Sequence, residues 1–398
     1  MTVLKRIGVR LGVWAAAAIA TTLIAGGQER AVNPGDPIPG ITPTEFTEFR
    51  LGLEDFTEVE TPEDGLGPAF NATSCAACHN VPAIGGTSLV LETRAAYRDA
   101  AGAFDALDTS GNTLMHLFSV PQHRCQPVVP EEATIIAHRA PIPVFGAGLV
   151  EAIPDEALLA LEDPIDRNRD GVSGRAAIID DVATGQRRVG RFGWKAQQAT
   201  LLAFAGDAYR NEMGITNDLF PQEYAYGIAE ADMRRCDARP DPEDVRNPLT
   251  QRRGIDNFES FMRFLAPIGR APVDDIVRDG ERVFGAIGCA ACHVPALTTG
   301  PSTNPLFNRR VVPLFSDLLL HDIGTGDGIK QAAALPEEIR TPALWGLRFR
   351  RPLMHDGTAG TIEAAIGRHQ HEAELARQGF EKLRSEDRAH LMAFLRSL

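Results

Sequence analysis

One pentapeptide, Cys-Ala-Ala-Cys-His, occurs twice in this chain, at residues 75–79 and 289–293. Its Cys-x-x-Cys-His pattern is the signature of haem attachment, in which two thiols add to the vinyl groups of a porphyrin and the histidine becomes the proximal iron ligand. A zinc site would need two further ligands near each motif, and neither zinc nor a redox-active disulfide explains a histidine in both. We therefore predict two covalent c-type haems. Their attachment residues are Cys75, Cys78 and His79 for the first haem, and Cys289, Cys292 and His293 for the second.

The two motifs belong to a longer internal repeat. Phe70 and Phe284 lie five residues before the first cysteine of their motifs, and each copy ends in apolar residues at three- and four-residue steps, which predict a closing helix with one apolar face. These residues are Phe258, Phe261, Phe264 and Leu265 in the first copy, and Leu391, Phe394, Leu395 and Leu398 in the second. We therefore expect two tandem cytochrome c-like domains, 45–268 and 272–398, separated by the Pro- and Gly-containing segment 266–272.

The first copy is longer than the second because it carries an insertion. The stretch from Cys75 to Gly193 spans 118 residues, whereas the matching stretch from Cys289 to Met354 spans 65. Within the insertion, short apolar or alternating runs bounded by Pro, Gly and Asp predict strands or hairpins. These runs are residues 133–136, 176–179 and 187–192. The expected fold is mainly all-α, with a small β-containing insertion in the first domain.

Residues that match across the two copies differ in their ability to bind iron. Met354 lies among Pro, Asp and Gly residues on a predicted loop, which favours the role of sixth iron ligand over that of a core methionine. Its counterpart in the first copy is Gly193, which has no ligand atom. A haem with a strong sixth ligand carries electrons and one without it reacts, so the first haem is the predicted reaction site. Alternative sixth ligands in the insertion are His116, His123 and His138, although a surface or core role is commoner for such histidines.

The beginning of the chain has the pattern of an export signal. Three basic residues are followed by an uncharged, mostly apolar run from residue 11 to residue 27. We predict that residues 1–27 are a signal peptide and that the protein is periplasmic, with a retained N-terminal anchor as the alternative. Only that anchor would bring the protein to a membrane.

The charge of the chain limits its partners. The formal net charge is −13, from 40 Lys and Arg against 53 Asp and Glu. This charge repels a nucleic acid backbone and excludes nucleic acid as an expected partner. It attracts basic electron-transfer proteins instead.

Two smaller patterns suggest a cation site and a disulfide. Asp166, Asn168 and Asp170 have the spacing that begins a calcium loop, but the twelfth position is not Glu, and a turn rich in Asx residues is the alternative. Cys125 and Cys236 are the two cysteines outside the haem motifs. They form a disulfide in an oxidising compartment if the fold brings them together.

Six segments carry a resemblance to a known family, and together they cover about residues 45–398. The segments are GLGPAFNATSCAACH, GRFGWKAQ, NEMG, LFSDLLLHDIG, RTPALWGL and PLMHDG. In this order they resemble the superfamily of bacterial di-haem cytochrome c peroxidases and MauG. Within it, the chain is most similar to the di-haem oxidoreductase family, also labelled putative peroxidase or thiol oxidoreductase.

The resemblance implies roles for particular residues. Met354 takes the place of the sixth ligand of an electron-relaying second haem, and Trp194 takes the place of a residue between the two haems. Glu212 resembles the carboxylate that moves a proton during peroxide cleavage. From the sequence alone, packing remains the alternative for Trp194, and a surface position at a helix end remains the alternative for Glu212.

The expected function is that of a periplasmic, peroxidase-like di-haem oxidoreductase. Electrons would enter from a small cytochrome c or copper protein at the second haem and be used at the first, with hydrogen peroxide or another redox substrate. Two alternatives stay open. One is a di-haem electron carrier without a substrate, and the other is MauG-like oxidation of a protein or metal partner.

Overall fold

The computed structural model describes residues 32–108, 110–121, 125–236 and 245–398. The predicted signal peptide (residues 1–27) and His123 lie outside them. The helices are α1 (Pro43–Thr57), α2 (Ala147–Glu151), α3 (Asp155–Leu159), α4 (Leu201–Ala208), α5 (Glu230–Cys236), α6 (Gly254–Phe264), α7 (Asp275–Ala286), α8 (Ile362–Gly367), α9 (Glu374–Glu381) and α10 (Ser385–Ser397). A π-helical turn (Tyr209–Met213) continues α4. The residues from 32 to 398 group into one unit.

One helix pair occurs in each half of the molecule. Helix α1 packs against α6, and α7 packs against α10, so each closing helix predicted from the Phe and Leu spacing is present. Helix α1 begins with a capping box in which Thr42 accepts a hydrogen bond from the Glu45 amide and Glu45 accepts one from the Thr42 amide. At α7, the Asp274 carboxylate accepts the Val277 amide at 2.9 Å.

A glycine lies at the crossing point of each helix pair. A Cβ atom on Gly52 of α1 would lie 2.0 Å from the Asn257 carbonyl oxygen of α6, and a Cβ on Gly280 of α7 would lie 2.0 Å from the His390 carbonyl oxygen of α10. Only glycine lets the two backbones approach so closely. In both helix pairs, a glycine therefore allows the close approach of the two backbones.

Aromatic rings form the centre of each helical core. In the first, the Phe56 ring lies 4.9 Å from Phe258 and 4.7 Å from Phe261, between ring centroids. In the second, Phe394 lies 5.2 Å from Phe284. The first core also includes residues from the C-terminal half. These are Leu297, Leu306, Phe307, Val312, Leu314, Leu318, Leu319 and Trp345.

The strands are short and form small antiparallel sheets. They are β1 (Ala69–Phe70), β2 (Glu92–Arg98), β3 (Phe104–Asp105), β4 (Leu114–Met115), β5 (Phe118–Ser119), β6 (Ile135–Arg139), β7 (Ala177–Asp181), β8 (Gln186–Gly190), β9 (Leu297–Thr298), β10 (Val311–Val312), β11 (Leu320–His321) and β12 (Ile339–Arg340). Strand β2 pairs with β3, β4 and β6, while β7 and β8 form a hairpin. The three predicted strand runs coincide largely with β6, β7 and β8. Two further ladders, β9–β10 and β11–β12, lie in the C-terminal half, where we predicted no strand.

Helices and small sheets thus agree with the predicted fold class, whereas the tandem cytochrome c-like domains and their boundaries stay predictions. Cys125 and Cys236 form a disulfide with a Cα–Cα distance of 5.7 Å, which links the segment after β5 to the end of α5. Among the described residues, no helix has the length and apolar character needed to cross a membrane.

Candidate functional site

The first motif presents His79 in the geometry of an iron ligand. Cys75–Ala77 form a 3₁₀ turn, and the His79 Nδ1 lies 2.8 Å from the carbonyl oxygen of Gly86. Burial lowers the pKa of His79, although the Gly86 carbonyl opposes this effect, so the ring is neutral. A neutral ring that donates its Nδ1 proton to a carbonyl keeps the Nε2 lone pair for iron. We call Cys75, Cys78 and His79 the first haem site.

The second motif repeats this arrangement. Cys289–Ala291 form the same turn, and the His293 Nδ1 lies 3.0 Å from the Phe315 carbonyl oxygen. Burial lowers the pKa of His293 to about 4. The ring is therefore neutral, with Nε2 available for iron. Cys289, Cys292 and His293 are the second haem site.

A large cavity adjoins the first haem site. It contains about 1230 Å³ of empty space, including its opening to solvent, and the residues of the first haem site line it. Its apolar walls include Phe56, Val144, Phe204, Phe258 and Met262. Trp194 and Glu212, both predicted as site residues, line it as well. We call it the His79 cavity, and its mixture of apolar walls with a few polar groups is typical of a cofactor site.

Glu212 is a half-buried acid that lines the His79 cavity. The π-helical turn Tyr209–Met213 positions it, and its Oε2 accepts a hydrogen bond of 2.9 Å from the Asn71 side-chain amide. Burial raises the pKa of Glu212 to about 8, and the neighbouring Glu92 carboxylate adds to this effect. Glu212 thus lies near the end of the π-helical turn and lines the cavity, while its catalytic role stays a prediction.

Four charged residues of the cavity were missed by the sequence reasoning. Glu92 and Arg94 lie on β2, Arg139 ends β6, and Asp207 lies on α4. The Glu92 Oε1 accepts a hydrogen bond of 2.7 Å from Arg94 Nε and lies 3.8 Å from Arg139 Nη1. A Glu and an Arg two residues apart on one strand point to the same side. That spacing was the available signal, but it does not reveal what the strand faces.

Trp194 lies between the His79 cavity and the loop that contains Met354. Its Nε1 donates a hydrogen bond of 2.8 Å to the Ala140 carbonyl, and its ring lies 6.1 Å from the His355 ring in an edge-to-face arrangement. Gly193, immediately before it, has a φ of +78°, and a Cβ there would collide with the Gln197 side chain. The position suits an inter-haem residue, and that role stays a prediction.

Met354 lies on a tight loop beside the second haem site. The flanking residues Leu353 and Ala359 are paired, with the Leu353 amide 2.8 Å from the Ala359 carbonyl oxygen, and Met354 has a φ of +69°. Its side chain packs against the second core together with Cys289 and Ala290. Met354 and two residues of the second motif thus pack against the same core, and coordination of iron stays a prediction.

His116 and His138, the two alternative histidine ligands that the structure describes, do not line the His79 cavity. His116 is buried, with its Nε2 2.7 Å from the Asn211 carbonyl oxygen, and the His138 Nδ1 lies 3.3 Å from Thr93 Oγ1. His79 is the single histidine among the described residues that line the cavity. The described walls therefore supply no imidazole as a second axial ligand.

Buried arginines give an independent test of whether haem fits these sites. Within the described part of the chain, Arg139 Nη2 and Arg350 Nε are buried without a hydrogen-bond partner. Burial alone lowers the pKa of Arg350 to about 10, so no anionic side chain among the described residues offsets its charge. Buried guanidinium groups need anionic partners, and the propionates of haem are anions of suitable geometry. The residues present therefore fit the group that the motifs imply.

A buried charged cluster supports the second haem site. His321 lies between two carboxylates, with Nε2 2.9 Å from Asp317 and Nδ1 2.8 Å from Glu372, and its Nδ1 is 3.6 Å from Cys292 Sγ. Burial would lower the pKa of His321, but the carboxylates outweigh it and raise the pKa well above its ordinary value. Cys292, Asp317 and His321 are close enough to hold a metal ion. Since Cys292 belongs to the haem motif, this cluster is part of the haem surroundings.

The predicted calcium loop uses its oxygens internally. Asp166 Oδ1 accepts the Asp170 amide at 2.9 Å, Asn168 Oδ1 accepts the same amide at 3.0 Å, and Asp170 Oδ1 accepts the Val172 amide at 2.9 Å. This is the Asx-turn geometry that the sequence left as the alternative. Calcium binding stays a prediction.

Comparisons with known proteins identify the family. A family model described as di-haem oxidoreductase, putative peroxidase, matches residues 119–398. The chain belongs to this family. The match confirms the resemblance inferred from the sequence and includes Glu212, Met354 and the second haem site, whereas the first motif precedes the matched residues.

A curated relative and two solved structures are also similar. The methylamine utilization protein MauG of Methylorubrum extorquens is 30% identical over 172 residues, which are 38% of this chain and 45% of that protein. The match therefore spans less than half of the relative. The diheme peroxidase BthA of Burkholderia thailandensis is 15% identical, with 92% of this chain and 89% of that chain covered and a TM-score of 0.40. Hydrazine synthase of Kuenenia stuttgartiensis is 14% identical, with 96% and 100% covered and a TM-score of 0.42.

Proposed function

We propose that this chain is a periplasmic di-haem c-type cytochrome that reduces hydrogen peroxide at the first haem site. The observation that carries the proposal is that His79 and a half-buried, protonatable Glu212 line one cavity whose described walls offer no second histidine. An iron with a free position beside a group that exchanges protons near neutral pH suits peroxide reduction better than electron storage.

The residues of the cavity have distinct roles in this proposal. Haem, when bound, supplies the redox chemistry of its iron. Glu212 accepts a proton from one oxygen of hydrogen peroxide and returns it to the other, so that this oxygen leaves as water. Asn71 fixes the Glu212 side chain through its amide. The apolar walls keep bulk water away from the acid. Complete reduction of one peroxide to two waters consumes two electrons and two protons.

The second haem site supplies the electrons. We propose that Met354 is the sixth ligand of that haem, since a thioether ligand favours electron transfer over reaction. Trp194 lies on the route between the second site and the His79 cavity. A small basic cytochrome c or copper protein is the proposed donor, because the net charge of −13 steers such a partner towards the chain.

The decisive experiment compares the holoprotein with its Glu212→Gln variant. Glutamine keeps the shape and hydrogen bonding of the side chain but cannot exchange the proton, so peroxide turnover should fall by about 10² to 10⁴. Reduction of both haems by an external donor should be unchanged, since it needs no proton at this residue. Glu131→Gln makes the same substitution on an exposed turn and should leave turnover unchanged.

Other results would redirect the proposal. Equal turnover in the wild type and Glu212→Gln would remove Glu212 from the mechanism. Wild-type protein with two low-spin haems and no peroxide turnover would be a di-haem electron carrier. Peroxide consumption that proceeds only with oxidation of a protein or metal partner would favour the MauG-like alternative. A high-spin ferric haem in the electron paramagnetic resonance spectrum is the expected signature of an open first site.

A further inference from the structure

We propose that Glu92 is a positioning residue that accepts a hydrogen bond from protonated Glu212 and so adjusts Glu212 for taking up and returning a proton during turnover. This inference rests on the proposed function, because it assigns a partner to the acid of the same cavity. The family match begins at residue 119, so Glu92 lies outside the matched residues.

The position of the two acids favours a proton shared between them. Glu92 and Glu212 are 120 residues apart in the sequence, yet both side chains line the His79 cavity and lie close enough to share a hydrogen bond. Carboxylate oxygens only accept hydrogen bonds, so a bond between two carboxyl groups contains a proton. The pair in the structure is therefore an acid and a carboxylate.

The neighbours decide which residue carries the charge. Glu92 lies 2.7 Å from Arg94 Nε and 3.8 Å from Arg139 Nη1, and both guanidinium groups are buried. Glu212 receives its hydrogen bond from the neutral amide of Asn71. Two positive groups stabilise the ionised form of Glu92, so the proton stays on Glu212. Burial would raise the pKa of Glu92, but Arg94 and Arg139 outweigh it and lower that pKa.

The remaining charged groups of this part of the cavity are engaged elsewhere. Asp207 is a half-buried acid of α4, and its Oδ1 accepts a hydrogen bond of 2.7 Å from the Asn211 amide and lies 3.7 Å from Arg210. Burial raises the pKa of Asp207. Arg139 donates to the buried Asp327 at 2.7 Å. Of these groups, Glu92 and Arg94 act directly on Glu212, and they act in opposite directions.

The pairing with Glu92 gives Glu212 the pKa that a proton-transferring group needs. A group that takes a proton and returns it works best when its pKa is near the working pH, because a strong acid holds the proton too weakly and a strong base does not release it. An ordinary glutamic acid is too acidic for this purpose. Burial and the Glu92 carboxylate together bring the pKa of Glu212 to about 8. Arg94 and Arg139 keep Glu92 ionised, and the negative charge of Glu92 then raises the pKa of Glu212.

The test is the pH dependence of peroxide turnover in the holoprotein and its Glu92→Gln variant. Glu212 must be ionised to take the first proton, so wild-type turnover should rise with pH through a pKa near 8. In Glu92→Gln the repelling carboxylate is gone while Arg94 remains. The rise of turnover with pH, which we call the pH limb, should therefore move to lower pH. The maximal rate should fall by less than the about 10² to 10⁴ expected for Glu212→Gln. Glu92→Asp keeps the charge and should restore the limb towards the wild-type position.

A spectroscopic measurement makes the inference independent of turnover. Infrared difference spectra at neutral pH should contain the C=O stretch of a protonated carboxyl group that disappears in Glu212→Gln. In Glu92→Gln this band should be lost at a lower pH than in the wild type. Glu131→Gln is the matched control and should change neither the band nor the limb.

The possible results separate the inference from the proposed function. A reduced rate with an unmoved limb and an unmoved band would mean that Glu92 only supports the structure, and would overturn the inference. A wild-type spectrum in which no protonated carboxyl band depends on Glu212 would overturn it as well. A band that shifts as expected in a protein without peroxide turnover would support the pairing and reject the proposed function.

Discussion

The two haem sites are alike up to the proximal histidine and differ beyond it. In both, the motif forms a 3₁₀ turn, and the histidine Nδ1 bonds to a backbone carbonyl, Gly86 for the first and Phe315 for the second. Beyond the histidine, the first site opens into a large cavity lined by half-buried acids, while Met354 and residues of the second motif pack against one core. The two copies thus share the residues that attach haem and differ in the residues around it, which determine whether a haem carries electrons or reacts.

The same contrast appears in two corresponding turns. Gly193 and Met354 match in the repeat, and both have a left-handed backbone, with φ of +78° and +69°. The residues after them, Trp194 and His355, contact each other through their rings. The two corresponding turns therefore contact each other through Trp194 and His355. One presents a residue without a side chain and the other presents a thioether.

The largest change to this contrast is expected from Met354→Ala. Removing the thioether takes the proposed strong ligand from the second haem. The low-spin signal of that haem should therefore be lost, and its iron should become accessible to peroxide. Covalent attachment of both haems should persist, because the cysteines are intact. Electronic and electron paramagnetic resonance spectra of the purified holoprotein measure both effects.

A buried methionine without a ligand role provides the control. Met392 of α10 is part of the second core, so Met392→Ala should cost about 2 to 5 kcal/mol of stability without changing either haem spectrum. Unchanged low-spin signals in Met354→Ala would make Met354 a core methionine as well. The two sites would then differ by the cavity alone.

The sequence predicted those parts of the sites that depend on local patterns. The haem motifs, the closing helices α6 and α10 and the hairpin β7–β8 all follow from spacings within a few residues. Met354 was found from its position in the repeat and its loop-forming neighbours, and Glu212 was found in a segment that resembles a family. The conformation of these segments is local, so their order along the chain was sufficient.

The missed residues depend on contacts that the sequence does not encode locally. Glu92 reaches Glu212 across 120 residues because β2 pairs with three other strands and turns one face to the cavity. Arg139 reaches the same cavity from β6 and also bonds to Asp327 of the C-terminal half at 2.7 Å. Neither strand carries a motif. Periodicity indicates that a side chain is buried or exposed, but it does not indicate which distant residue it contacts.

A second pair of variants asks whether the halves are equally intolerant at their helix crossings. Gly52→Ala and Gly280→Ala each place a Cβ 2.0 Å from a carbonyl oxygen of the facing helix, and backbone atoms cannot move aside as a side chain would. Each substitution should lower the free energy of unfolding by about 1 to 3 kcal/mol. Thermal or denaturant unfolding of the holoprotein measures this loss.

Helix α7 contains its own control for these variants. A Cβ on Gly285 meets no atom within 4 Å, so Gly285→Ala should stabilise the protein by about 0.5 to 1 kcal/mol through the better helix propensity of alanine. Opposite signs for Gly280→Ala and Gly285→Ala would establish that close approach, rather than propensity, determines the result. A cost in one half only would show that the two helix pairs are not equivalent.

The variant that tests the connection between the two sites is Trp194→Phe. Phenylalanine keeps an aromatic ring beside His355 but cannot donate the hydrogen bond to Ala140, so the buried carbonyl loses a partner at a cost of about 1 to 3 kcal/mol. If the indole lies on the electron route, transfer from the reduced second haem to the oxidised first haem should slow, as followed by rapid mixing and absorbance. Trp345→Phe removes another buried indole, from the first core, and should reduce stability without slowing the transfer. An equal transfer rate in Trp194→Phe and the wild type, with the stability loss present, would assign Trp194 to packing. The corresponding turns would then meet for structural reasons, and the electron route would lie elsewhere in the contact between the two halves.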